Sequence, residues 1–175
     1  MKDAALAQVL NEALLDEYKG RDTYRKIIDT FGAVRPFVNI VEAEQRHIES
    51  LLALYEKYEI PRPVIPDPDR LDIPENLLKA CQLGVEAEIE NVALYDRLIE
   101  ATDLPDVIEV LKRLQAASRD NHLRAFQRCV ERGGAAGLGS GPGRRNGRSS
   151  GKGQGPGRKP GQPRREQSFT VKSSD

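Results

Sequence analysis

FVNIVEAEQRHIESLLALYEKY, residues 37 to 58, is the stretch that decides the fold. Its apolar residues Phe37, Ile40, Val41, Ile48, Leu51, Leu52, Tyr55 and Tyr58 recur with the 3.6-residue period of one helix face. Glu44 and His47 fall in the gap of that stripe, three residues apart and therefore one turn from each other. A carboxylate and an imidazole are thus expected on the face the helix buries. Burying an ionised carboxylate costs several kcal/mol unless a partner offsets it. The neighbouring helices are the place to look for that partner.

Three more helices carry the same pattern. From Asp3 to about Phe31, Leu6, Val9, Leu10, Leu14, Tyr24, Ile27 and Ile28 keep helical spacing, and Glu17 interrupts them; Gly32 is placed to end the helix. Only Gly32 to Arg35 separates it from Pro36, at the first turn of the second helix, so the two should be antiparallel neighbours. Beyond Glu59, Pro61, Pro63, Pro66, Pro68 and Pro74 exclude helix and make a long extended connection. Pro74 would then open a third helix running to Ala101, with Cys81, Gly84, Val85, Val92, Tyr95 and Leu98 in phase and Glu88 in the same stripe. Glu86 and Glu90 point about 160° away and should be solvated. A turn at 102–105 leads to a fourth helix, in which Val107, Leu111, Leu114, Ser118, Phe126 and Cys129 share a face with His122. The expected fold is all-α: a four-helix bundle whose one long crossover joins helices two and three, the connectivity of ferritin-like folds.

Charge divides the chain at the end of that bundle. Residues 1–132 hold 18 Lys and Arg against 25 Asp and Glu, a net of −7, and residues 133–175 hold 9 against 2, a net of +7. The expected organisation is an acidic helical domain over 1–132 and a Gly/Arg/Pro/Ser-rich tail over 133–175, whose composition predicts disorder. Such a tail either merely solvates the domain or contacts nucleic acid or another polyanion; Phe169 is its one aromatic residue, so base stacking is not suggested. Cys81 and Cys129 are too few and too far apart for a disulfide framework and read as small core thiols in a reducing compartment. No stretch reaches the ~18 apolar residues of a membrane span. A cytoplasmic protein with no membrane partner is expected.

The polar residues that interrupt the four stripes are Glu17, Glu44 with His47, Glu88, and His122. Each lies near mid-helix, where groups on neighbouring helices converge on one level. Three carboxylates and two imidazoles facing inward are how bundles hold divalent metals. A single Glu-x-x-His arises often by chance, and a lone buried His or Glu has ordinary structural explanations. Four helices that each contribute such a residue are the specific signal. Tyr24, Tyr55 and Tyr95 lie on the same stripes, either as core tyrosines or as hydrogen-bond donors to the carboxylates.

The runs Asp16-Glu17-Tyr18-Lys19-Gly20-Arg21-Asp22-Thr23-Tyr24, Ala43-Glu44-Gln45-Arg46-His47 and Ser118-Arg119-Asp120-Asn121-His122 resemble the ferritin-like superfamily on its rubrerythrin side. They are most similar to a prokaryotic branch of unassigned function, over roughly residues 10–130. The resemblance implies a di-iron or di-manganese centre and the oxidation of ferrous ion or the handling of peroxide. In that reading Glu17 and Glu88 are terminal ligands, Glu44 a bridge, and His47 and His122 the nitrogen ligands; a homodimer is compatible with it. No Cys-x-x-Cys pair is present, so electrons would come from an external donor. The superfamily pattern has a second Glu three residues before the last His, and here Arg119 holds that position. Three versions of the site follow: two weakly held metals, one metal on a subset of the ligands, or none, with Arg119 and the imidazoles neutralising the acids. Asp120 should point away from the site unless a π-helical bulge re-aims it. The alternative function is a metal-free helical interaction module with a polyanion-binding tail.

Overall fold

The computed structural model describes residues 2–135, and among them every regular element is helical. Helix α1 (Lys2–Phe31) ends at Gly32, whose φ of 89° is the left-handed conformation that closes a helix C-terminus. Helix α2 (Phe37–Lys57) packs back along α1. The proline-rich connection follows, with one short 3₁₀ turn at Pro68–Arg70 that Asp67 caps by accepting the Asp69 N–H. Lys26 ties this connection to α1 by donating to the Leu71 carbonyl at 3.2 Å.

Helix α3 (Leu77–Glu100) starts later than Pro74, because the side chain of Asn76 accepts the Lys79 N–H and caps the helix there. The fourth expected helix is broken into α4 (Pro105–Ala117), a π-helical turn over Ser118–His122, and α5 (Leu123–Glu131). In that turn the Leu123 N–H reaches the Ser118 carbonyl, one residue further back than an α-helix allows. The glycines after α5 end it with positive φ, and a Cβ on Gly134 would stand 2.5 Å from the backbone of Leu78 at the start of α3.

Two apolar cores lie one beyond the other along the bundle. Leu10, Leu14, Leu51, Tyr55, Tyr95, Leu98, Leu111 and Leu114 belong to the first. Tyr24, Ile27, Phe37, Ile40, Ala80, Cys81, Phe126 and Cys129 form the second. Its aromatic centre is a cluster of Tyr24, Phe37 and Phe126 with ring centroids 5.2–5.9 Å apart. Gly84 lets Phe126 lie flat on α3, since a Cβ there would sit 2.6 Å from the ring.

Cys81 and Cys129 are joined as a disulfide, which corrects their reading as free thiols. Their 48-residue separation hid a geometric match. Cys81 precedes Glu88 by seven residues and Cys129 follows His122 by seven. On antiparallel helices whose Glu88 and His122 face each other, those equal and opposite offsets bring the cysteines together, with Cα atoms 5.9 Å apart. No helix among the described residues is long and apolar enough to cross a membrane. The chain divides into residues 1–140 and 141–175, and of the tail expected over 133–175 all but residues 133–135 lies outside the described part.

Candidate metal centre

Between the two apolar cores runs a polar belt, and its members come from every rod of the bundle. Glu17 lies on α1 between Leu14 and Tyr24, Glu44 and His47 on α2 between Ile40 and Ile48, Glu88 on α3 between Cys81 and Tyr95, and His122 at the end of the π-helical turn. Glu17, Glu44, Glu88 and His122 are buried, and the side chain of His47 is 12% exposed. Glu86 and Glu90 are exposed, as the helix phase of α3 requires.

The belt consists of two groups that share one carboxylate. Ligand-type atoms of Glu17, Glu44 and His47 lie within 4.8 Å of one another, and so do those of Glu44, Glu88 and His122. In the first group His47 Nδ1 stands 3.1 Å from Glu17 Oε2 and 3.0 Å from Glu44 Oε2. In the second, His122 Nδ1 stands 3.3 Å from Glu44 Oε1 and 3.6 Å from Glu88 Oε1, off the line that a hydrogen bond needs. The two imidazoles stack with centroids 5.6 Å apart and planes at 24°. Glu44 therefore turns one oxygen to each histidine. Tyr95 donates a short hydrogen bond to Glu17 Oε1, and Tyr24 donates to Glu88 Oε1 at 3.1 Å. Tyr55 bonds Asn11 Oδ1 at 2.7 Å instead and is a core tyrosine.

Proton occupancy follows from this packing. Burial and the neighbouring Glu44 charge push Glu17 well above the usual carboxylate range. Burial would raise Glu44 too, but the two imidazoles that face it more than offset burial and hold it below that range. Burial also disfavours charge on the imidazoles, yet the carboxylates around them prevail: His47 is pushed up to about 9 and His122 to about 10. Without metal, the cluster neutralises itself with protons.

Arg119 takes no part in this. It faces solvent with its side chain 54% exposed and holds Asp120 through Nε to Oδ1 at 3.1 Å and Nη2 to Oδ2 at 3.0 Å. The expectation that Arg119 could neutralise the buried acids is thereby overturned, because the wide π-helical turn separates its direction from that of His122. That same turn leaves Asp120 in solvent rather than aiming it inward. Sequence reasoning also missed Asn91, buried one turn beyond Glu88, and Asp16, which burial pushes up to about 6. Asn91 follows Glu88 by three residues, a spacing that could have flagged it.

The donor set fits divalent metal. Glu88 Oε2 and His122 Nδ1 are buried without a hydrogen-bond partner, and Glu88 keeps only the Tyr24 bond on its other oxygen. Leaving an oxygen such as Glu88 Oε2 without a hydrogen bond costs about 1–3 kcal/mol, and a cation between it, His122 and Glu44 would remove that cost. Carboxylate oxygens with one imidazole per group suit iron, manganese or zinc.

An all-helical bundle with a buried carboxylate–imidazole belt at mid-height is thus the class of protein the chain defines. The chain belongs to the family described as Uncharacterized protein domain (DUF2202), whose model matches residues 13–137 and so spans the whole belt. It is 30% identical over 135 residues to the uncharacterized protein MJ0754 of Methanocaldococcus jannaschii, covering 69% of this chain and 72% of that protein. The crystal structure of hypothetical protein MJ0754 from Methanococcus jannaschii superposes with a TM-score of 0.63 at 27% identity, over 74% of this chain and 82% of that one.

Proposed function

We propose that this chain is a ferritin-like metal-binding protein whose centre is built by Glu17, Glu44, His47, Glu88 and His122. The observation that carries the reading is the pair of buried atoms that make no hydrogen bond, Glu88 Oε2 and His122 Nδ1, beside a carboxylate already shared by both groups. Glu17, Glu44 and His47 would hold one ion and Glu44, Glu88 and His122 a second, with Glu44 as the bridge. Two dications bring four positive charges, and three carboxylates with neutral imidazoles return three. The position where the superfamily has a fourth carboxylate is Arg119, which faces solvent, so the second ion should be held more weakly than the first. A redox-active metal pair would supply ferrous-ion oxidation or peroxide reduction, using an external electron donor. The protein's own part is to keep the ligands dry between two apolar cores and to orient Glu17 through Tyr95 and Glu88 through Tyr24, while the protons displaced from the ligands leave to solvent.

A metal-free helical module remains the competing reading, and one observation favours it: Glu17, Glu44, His47 and Tyr95 already satisfy one another by hydrogen bonds. Elemental analysis of the purified full-length chain separates the two. Iron, manganese or zinc at one to two equivalents supports the metal centre; less than a small fraction of an equivalent, before and after incubation with Fe²⁺ or Mn²⁺, contradicts it.

A further inference from the structure

A cleft of about 140 Å³ opens between α1 and α3 onto the same belt. Its lining includes Glu17, Glu44 and Glu88, so three of the belt carboxylates face this cleft. Gly20 lines its α1 wall, where a Cβ would stand 3.9 Å from Glu44 Oε1 and from the Tyr24 ring. That is ordinary contact for a methyl group, but any longer side chain at this position projects into the cleft. Asp16, Glu86 and Glu90 also line it, with Lys19 as the opposing charge. Two buried oxygens on the α3 wall, Glu88 Oε2 and Asn91 Oδ1, have no hydrogen-bond partner. Asn91 is no member of either ligand group, so its orphaned carbonyl calls for an explanation of its own.

We infer that this cleft is the port through which divalent cations reach the centre, with Asn91 Oδ1 as a transit donor between the acidic mouth and Glu88. The inference rests on the metal-binding reading and adds the route. A mouth with three carboxylates against one ammonium concentrates cations at the opening, and low-dielectric walls focus that field inward. An oxygen donor without a hydrogen-bond partner, one helical turn from Glu88, lets an ion shed its water stepwise instead of all at once.

The test is the rate of Co²⁺ loading into the metal-freed full-length chain, followed by stopped-flow absorption, with the final amplitude read separately. Gly20→Leu is expected to slow loading several-fold or more while the final amplitude stays that of the wild type. Because a larger residue on α1 can disturb folding, the exposed double variant Glu86→Lys/Glu90→Lys serves as the second arm. Its loading should slow by roughly tenfold at low salt, and the difference should largely vanish near about 1 M salt, where charges are screened within a few Å. Wild-type loading matched in rate by the double variant at low salt would overturn the port, as would a folded Gly20→Leu that loads at the wild-type rate. If the wild-type chain gives no Co²⁺ spectrum at all, the metal centre itself fails and the port with it.

Discussion

Arg119 sits one residue inside the π-helical turn and directs its guanidinium to Asp120, in water, while His122 three residues later is buried against Glu44 and Glu88. Changing Arg119 to Glu therefore puts a carboxylate in solvent, not in the centre. The expected outcome is unchanged metal stoichiometry by titration, with at most a small loss of stability from the exposed pair. A gain of metal affinity would mean that the side chain reaches inward. His122 should behave otherwise. His122→Asn removes the one imidazole of the Glu44–Glu88 group, so Mn²⁺ titration should lose the weaker binding event, by roughly 100-fold in affinity or more since a direct ligand is removed rather than its supporting partner, and keep the tighter one.

The buried imidazoles also fix the sign of the pH dependence. In the metal-free protein His47 and His122 titrate at about 9 and about 10, above their ordinary value of 6.5. A raised histidine contributes stability that is complete below pH 6.5 and is lost as pH climbs through the folded-state values. Glu17, held protonated in the fold, works in the same direction, because its unfolded form gains by ionising above about 4.5. The melting temperature of metal-free protein should thus fall steadily from pH 6.5 to 10. Metal affinity should rise over the same interval, since each ion displaces imidazole protons. A flat metal-free stability profile would contradict the protonated cluster.

At the level of elements, the α3–α5 contact holds Glu88 and His122 at the same height. The disulfide, two turns from both, cross-links those two helices, and Gly84 lets Phe126 close the gap between it and the belt. Closing a loop of 48 residues stabilises a fold by about 4 kcal/mol in the chain-entropy account. Replacing Cys81 and Cys129 together with Ser should lower the melting temperature by about 10 °C, measured against the oxidised wild type. An equal shift in the wild type on adding a reductant would show that the bond, not the serine hydroxyls, is responsible. No shift in either case would mean that packing alone holds α3 on α5.

The helices were legible because each has a strong 3.6-residue stripe and a hard stop, a proline run after α2 or the glycines after α1 and α5. Their polar gaps were legible for the same reason, since Glu17, Glu44, His47, Glu88 and His122 are conspicuous against apolar neighbours. The π-helical turn was not. Its one-residue widening leaves the apolar spacing of the helix readable on both sides, and no residue type between Ser118 and His122 marks it. The disulfide stayed hidden because it depends on antiparallel register, and the cleft because it is formed jointly by side chains of α1, α2 and α3.

For the whole molecule, these pieces reduce to an acidic bundle, net −7 over residues 1–132, that surrounds three buried carboxylates with two imidazoles and opens a cleft between α1 and α3 onto them. An acid-rich interior of this kind is stable without metal only through bound protons, and a dication that displaces them should stabilise the fold in proportion to its affinity. The position of Glu44 makes it the decisive residue, because both donor groups depend on it. Calorimetric titration of the metal-freed full-length chain with Mn²⁺, run beside its Glu44→Gln variant, tests this most directly. Saturable binding of one tight and one weaker equivalent in the wild type, with both lost in Glu44→Gln, is the expected result; heats indistinguishable between the two proteins would contradict a metal centre at this belt.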